Sequence, residues 1–245
     1  MKYKLSVVSY LNTIPFIYGL KQSGLDKKLN ISLDIPSACA DKLLNNKVDI
    51  SLVPIVVLKQ MQNTYIISNF CIGADGAVDT VCLFSDVPIN EIESIFLDYQ
   101  SKTSVELLKI LLKEYWKVSP KLLVAKGNYE QKIKGKKAGI IIGDRAFQYQ
   151  SKFKYVYDLS AIWKSHTGLP FVFACWIANK KIDKEFIKEF NKALSFGLQN
   201  TQKAIDSAAS IYSHCNNPAD YLNNKISYHL DVEKQKGMEL FLEKI

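Results

Sequence analysis

Leu5-Ser6-Val7-Val8-Ser9-Tyr10-Leu11-Asn12-Thr13-Ile14-Pro15 couples a short apolar run to a helix start, and the reading of the fold turns on that junction. Leu5 to Val8 has the length of a strand. Asn12 or Thr13 is suited to cap the helix that follows, and Pro15 fits its first turn, where the missing N–H has no intrahelical partner. The helix runs through Phe16, Ile17, Tyr18 and Leu20 and stops near Gly24. The alternation then repeats. Ile31 to Ile35 is a strand, Ser37 caps a helix carrying Ala40, Leu43 and Leu44, and Asp49 to Pro54 is a strand entering a short helix. Tyr65 to Ile72 and Val78 to Phe84 are further strands.

A second run starts at Ile92 to Leu97 and passes through Asp98-Tyr99-Gln100-Ser101-Lys102-Thr103-Ser104 into an amphipathic helix over Leu107, Leu108, Leu111, Leu112 and Tyr115. Lys121 to Ala125, Ala138 to Ile142 and Tyr155 to Leu159 read as strands, with a helix start at Gly143-Asp144-Arg145-Ala146. Pro170 to Ala178 is apolar on both faces, the pattern of a strand in the middle of a parallel sheet. Asp183 caps a helix through Leu198, and a last helix covers Val232 to Leu242. Strand–helix alternation of this kind predicts an α/β protein with parallel strands. Two such sets predict two lobes, the second inserted into the first: residues 1–85 with 175–245, and residues 86–174. The crossings then fall at 84–86 and 173–175. No Pro/Gly/Ser-rich linker separates the sets, so short hinges and a ligand cleft between the lobes are expected.

Composition narrows the function. Of the 32 basic residues 31 are lysine, and Arg145 is the single arginine, so the net charge of +8 lacks the side chain that reads bases and grips phosphates in pairs. Nucleic acid is not an expected partner. Lys132, Lys134, Lys136 and Lys137 read as a solvated loop. Nothing approaches a membrane-spanning run, and Met1-Lys2-Tyr3-Lys4 leads only into a strand, so no membrane partner and no secretory leader are expected. Cys39, Cys71, Cys82, Cys175 and Cys215 form no C-x-x-C pair and suit a reduced, cytoplasmic setting. His166, His214 and His229 have no metal-ligand spacing, so no metal is expected.

Three helix starts follow strand ends: Asn12-Thr13, Ser101 to Ser104, and Gly143-Asp144. In open α/β sheets that is where ligands bind, and helix N-termini carry unpaired N–H groups and partial positive charge. These residues either cap their helices or hold a small organic anion, two opposed starts taking a carboxylate each; hydroxyls of Thr13, Ser101, Thr103 and Ser104 add donors. Nucleophile-elbow, P-loop and dinucleotide glycine motifs are all missing. Gly73-Ala74-Asp75-Gly76 reads as a turn. Asp79, Asp98 and Asp144 stand near strand ends as possible bases, and His166 lies in a polar stretch, read as a surface or capping histidine.

Four stretches carry a resemblance. Ser9-Tyr10-Leu11-Asn12-Thr13-Ile14-Pro15-Phe16-Ile17-Tyr18-Gly19-Leu20, Asp98 to Ser104, Ile142-Gly143-Asp144-Arg145-Ala146, and Tyr157-Asp158-Leu159 with Trp163 and Thr167-Gly168-Leu169-Pro170-Phe171-Val172-Phe173-Ala174 occur in order. Together they resemble the chorismate dehydratases of the futalosine route to menaquinone. That resemblance implies a two-lobed fold like the type-2 periplasmic binding proteins, and loss of water from chorismate to give 3-[(1-carboxyvinyl)oxy]benzoate with no cofactor. It implies catalytic roles for Asn12 and Thr80, the latter where serine is the commoner residue. It also implies substrate contacts at Tyr10, Thr13, Ser101, Lys102, Thr103, Ser104, Gly143, Asp144, Thr167 and Gly168. Lys102 stands where the family has arginine, keeping the charge and losing the fork. The base is either the substrate's own enolpyruvyl carboxylate or an aspartate, Asp144 or Asp98. Two other readings stand beside this one. The first is the sister enzyme that forms 1,4-dihydroxy-6-naphthoate, which is associated with a histidine near the third helix start. The second is a non-catalytic binding protein for an aromatic carboxylate.

Overall fold

In the computed structural model, which describes residues 2–209, 211 and 215–245, two mixed sheets stand side by side with helices on their faces. His214 lies outside the described residues. The chain opens with β1 (Tyr3–Val8), a 3-10 turn at Leu11–Thr13 and α1 (Ile14–Gln22). It continues through β2 (Leu29–Asp34), α2 (Pro36–Leu44), β3 (Ile50–Pro54), a 3-10 turn, and β4 (Tyr65–Ala74). The second sheet contains β5 (Val81–Ser85), β6 (Ser94–Leu97), β7 (Lys121–Val124), β8 (Lys137–Ile142) and β9 (Tyr155–Asp158), with α3 (Lys102–Leu111) between β6 and β7. After α4 (Leu159–Thr167) the chain returns through β10 (Phe171–Ala178) to α5 (Lys184–Gln199) and α6 (Thr201–Ala208). It ends with α7 (Pro218–Asp220), β11 (Ser227–His229) and α8 (Val232–Lys244).

The first sheet has the order β11-β4-β10-β3-β1-β2, and the second β7-β6-β8-β5-β9. The pairing moves the expected lobe division. β5 belongs to the second sheet and β10 to the first, so the crossings run over residues 75–80 and 159–170 rather than at 84–86 and 173–175. β10 is also antiparallel to both neighbours, with Cys175 opposite Val53 on one side and Cys71 on the other. Its two apolar faces report burial, and burial alone does not tell a parallel from an antiparallel central strand. The parallel pairs are β1 with β2 and β3, and β6 with β7 and β8.

Helix starts differ in detail from the expected caps. Thr13 precedes α1, but its hydroxyl donates back to the carbonyls of Val8 (2.7 Å) and Tyr10 (2.8 Å) instead of capping. α2 begins at Pro36, ahead of Ser37, with no side-chain cap. α4, whose last turn takes in the polar stretch around His166, is capped by Asp158. Asp183 caps α5 as expected, accepting from the Phe186 N–H at 3.0 Å.

One hydrophobic cluster runs through both lobes. In the first, Trp176 is fully buried and meets the edges of Phe16 (5.6 Å) and Phe190 (5.1 Å). At the return crossing, Trp163 of α4 packs on Phe171 of β10 (5.4 Å) and Phe241 of α8 (6.2 Å), so the end of the inserted segment is anchored in the first lobe's core. α1 and α5 touch backbone to backbone. A Cβ on Gly197 would stand 1.8 Å from the Pro15 carbonyl oxygen. Gly197→Ala must push the two helices apart, and we expect it to lower unfolding free energy by about 1–3 kcal/mol in urea titration.

Candidate functional site

The carboxyl ends of β1, β3 and β8 converge with the start of β10 on a narrow cavity between the sheets, holding about 520 Å³ of space free of protein atoms, its mouth included. Of the expected positions, Tyr10, Asn12, Thr80, Ser101, Ser104 and Gly143 line it, among apolar walls that include Ile72, Val78, Ile142 and Phe173. The walls come from the motif stretches and from β4 and the first crossing.

Each polar group has a local cause for its place. Thr80 ends the first crossing, which the Asp158 carboxylate fixes: one oxygen accepts from Val78 N–H (2.8 Å) and Asp79 N–H (2.6 Å). The other oxygen accepts from Ser160 and Ala161 N–H (3.0 Å each) at the start of α4. The bend this requires puts Asp79 in the left-handed region, φ 64°. Ser101 caps α3, its hydroxyl accepting from Ser104 N–H (3.3 Å) and lying 3.1 Å from the Ser104 hydroxyl. The first turn of α3 carries no acidic residue, so the positive end of the helix meets the cavity without a protein counter-charge. Gly143 has φ 68°, and a Cβ there would lie 2.6 Å from the Tyr10 ring. Tyr10 is thus stacked on bare backbone, with its hydroxyl bonded to Gln100 across the cleft.

Asn12 is the cavity's most telling polar group. It is 8% exposed, and its side-chain carbonyl oxygen has no hydrogen-bond partner among the described residues. Its amide nitrogen lies 3.5 Å from the Tyr221 hydroxyl, which is itself 2.9 Å from the Thr80 hydroxyl. Its backbone carbonyl accepts from the Tyr228 hydroxyl at 2.9 Å. Neither tyrosine was among the expected site residues. The signal for Tyr221 is Asn217-Pro218, a helix start whose Asn217 side chain accepts from Asp220 N–H (3.1 Å), but nothing in that stretch says which lobe it meets.

The other six expected positions lie off the cavity. Thr13 is turned into its own loop, as above. Lys102 is exposed on the surface, 3.8 Å from Asp41. Thr103 is buried with its hydroxyl 3.5 Å from Val56 N–H. Thr167 caps the end of its own helix, donating to the Trp163 carbonyl (2.8 Å), and Gly168 is that helix's left-handed terminus. Asp144 reaches across the cleft to the Leu11 N–H, which its two oxygens share at 2.9 and 3.1 Å.

The candidate bases are engaged elsewhere. Asp98 is buried against Arg145 (2.5 Å) and accepts from the Tyr129 hydroxyl (2.8 Å) and the Gln100 N–H (2.8 Å). Arg145 also pairs with Glu130. Asp79 faces Lys225 at 3.1 Å. His166 lies on the surface, 3.4 Å from Glu114. Among the described residues no carboxylate, histidine or lysine lines the cavity, and no cluster of three metal-ligating side chains exists.

This is a two-lobed α/β architecture of the periplasmic-binding-protein-like kind, with the cavity between its two sheets. A Candida albicans protein described as having the generic periplasmic binding protein fold superposes with a TM-score of 0.66 at 12% identity, covering 98% of this chain and 90% of that one. A crystal structure of an Archaeoglobus fulgidus protein gives 0.77 at 14% identity, covering 99% and 96%. A profile of the menaquinone biosynthesis family matches residues 3–245, and the chain belongs to that family. A chorismate dehydratase of Thermus thermophilus is 27% identical over 262 residues, spanning 98% of this chain and 94% of its own.

Two measurements probe the clamps around this site. Asp158→Ala leaves four backbone N–H groups without their acceptor, and we expect it to cost about 1–3 kcal/mol of unfolding free energy. Asp144 has one donor for two oxygens, and burial raises its carboxyl from 3.8 to about 7, more than the Leu11 N–H lowers it. Between about pH 4 and pH 7 the folded protein therefore keeps a proton that the unfolded chain has lost, and this residue's contribution to stability falls as pH rises. In thermal melts, Asp144→Asn should gain on the wild type between pH 5 and pH 8; an unchanged difference contradicts the assignment.

Proposed function

We propose that the chain is a chorismate dehydratase, converting chorismate to 3-[(1-carboxyvinyl)oxy]benzoate in the futalosine route to menaquinone. The observation that carries this is the near-full-length likeness to a curated chorismate dehydratase, within a family matched over residues 3–245. The cavity supports it: the hydroxyls of Ser101 and Ser104 at the start of α3 line it, and no acidic residue stands in that helix's first turn. We place the enzyme in the cytoplasm, where five free cysteines, four of them buried, remain thiols. No described helix is long and apolar enough to cross a membrane.

The chemistry follows from the residues at the cavity. A substrate carboxylate sits at the Ser101–Ser104 turn, accepting from hydroxyls and free N–H groups. The C–H bond at the ether-bearing ring carbon breaks, its electron pair becomes the new ring double bond, and the neighbouring C–O bond breaks. Aromatisation drives the step. With Asp98, Asp144 and Asp79 all committed to protein partners off the cavity, the proton goes to the substrate's enolpyruvyl carboxylate and then to the departing hydroxide, releasing water. Asn12 and Thr80 flank the hydroxyl and hold it for departure.

Incubating purified protein with chorismate tests the reading: mass spectrometry should show a product lighter by one water. Chorismate bound but unchanged would identify a binding protein instead. Asp144→Asn should keep turnover within about tenfold of wild type, whereas a loss of roughly a thousandfold would make Asp144 the base.

A further inference from the structure

We propose that Tyr221, from the C-terminal segment that packs back onto the first lobe, is a positioning residue for this reaction. Its hydroxyl, held between Asn12 and Thr80, sets the direction of both. The inference rests on the dehydratase reading and adds to it a residue outside the motif stretches.

Hydrogen-bond direction gives the argument. The Asn12 amide nitrogen can only donate, so toward it the Tyr221 oxygen accepts. Tyr221 has one proton, and that proton goes to its other neighbour, the Thr80 oxygen at 2.9 Å. Thr80 accepts there, which leaves its own proton for the Val78 carbonyl, 3.4 Å away, or for a ligand in the cavity that Thr80 lines. The chain Asn12–Tyr221–Thr80 therefore ends in a donor that a ligand can take over. Its other end is fixed too: with the nitrogen turned to Tyr221, the buried Asn12 oxygen is left without a protein partner among the described residues, on a side chain that lines the cavity. A hydroxyl on the ligand can donate to Asn12 and accept from Thr80 at once. Those are the two bonds that orient a leaving hydroxyl.

Tyr221 is built to stay in place. It is 2% exposed, and its ring stands edge-on to Phe147 of the second lobe at 5.0 Å and 87°. Tyr228, from the same segment, holds the Asn12 backbone at 2.9 Å. Two tyrosines from one segment thus fix the backbone and the amide of a single asparagine.

Tyr221→Phe removes the oxygen and keeps the ring, so packing on Phe147 survives. With chorismate as substrate, kcat should fall roughly 100-fold while KM stays within about threefold. Affinity for 3-[(1-carboxyvinyl)oxy]benzoate, read by calorimetry, should also hold within about threefold. Adding Thr80→Val to Tyr221→Phe should cost no more than the worse single variant, because each breaks the same chain. A kcat within about twofold of wild type overturns the inference. So does a loss accompanied by lost product binding or unfolding, or fully multiplicative losses in the double variant. Wild-type protein that makes no product from chorismate overturns the dehydratase reading, and this inference with it.

Discussion

The return of the chain through β10 is the constraint on which the rest depends. An inserted lobe can be built only if the polypeptide comes back to the sheet it left, and here it comes back between two strands already in place, β3 and β4. Paired on both edges and buried on both faces, β10 can tolerate little but apolar side chains. Phe173 and Ala174 of this strand are cavity wall, while Phe171 and Val172 before them and Trp176 after them are core. The strand that closes the first lobe thus also closes the site, and packing errors in one become errors in the other.

Around that frame the charged residues near the cleft are committed to architecture. Asp98 with Arg145 ties β6 to the turn after β8, Asp144 joins the second lobe to Leu11 of the first, and Asp158 fixes a crossing. Among the described residues, neutral groups are what remain at the cavity: an asparagine, hydroxyls and peptide N–H groups. Such groups orient a substrate without competing for its protons, which suits an elimination in which the substrate supplies its own base.

The sequence was most legible where one local rule sufficed. Strand existence followed from apolar runs, and the Asp183 cap from its position before an amphipathic helix. What failed depended on non-local pairing. Direction is invisible in a run such as Pro170 to Ala178, because a strand buried on both faces reads the same in either sense. The lobe boundary was displaced because Val81 to Phe84 is equally apolar in either sheet. Thr13, Thr167 and Thr103 sit in motif stretches but satisfy their hydroxyls within the fold. Tyr221 and Tyr228 lie in a segment whose sequence gives no hint of the asparagine, more than 200 residues away in the chain, that they hold.

The Asp158 carboxylate has a mechanical consequence. One of its oxygens binds the segment by which the chain leaves the first lobe, and the other binds the start of the helix by which it returns. The two connections are therefore tied to each other through one side chain, and a displacement that drew them apart would have to break those bonds. Thr80 directly follows the tied residues, so the same carboxylate that joins the connections also sets the place of a residue in the cavity wall.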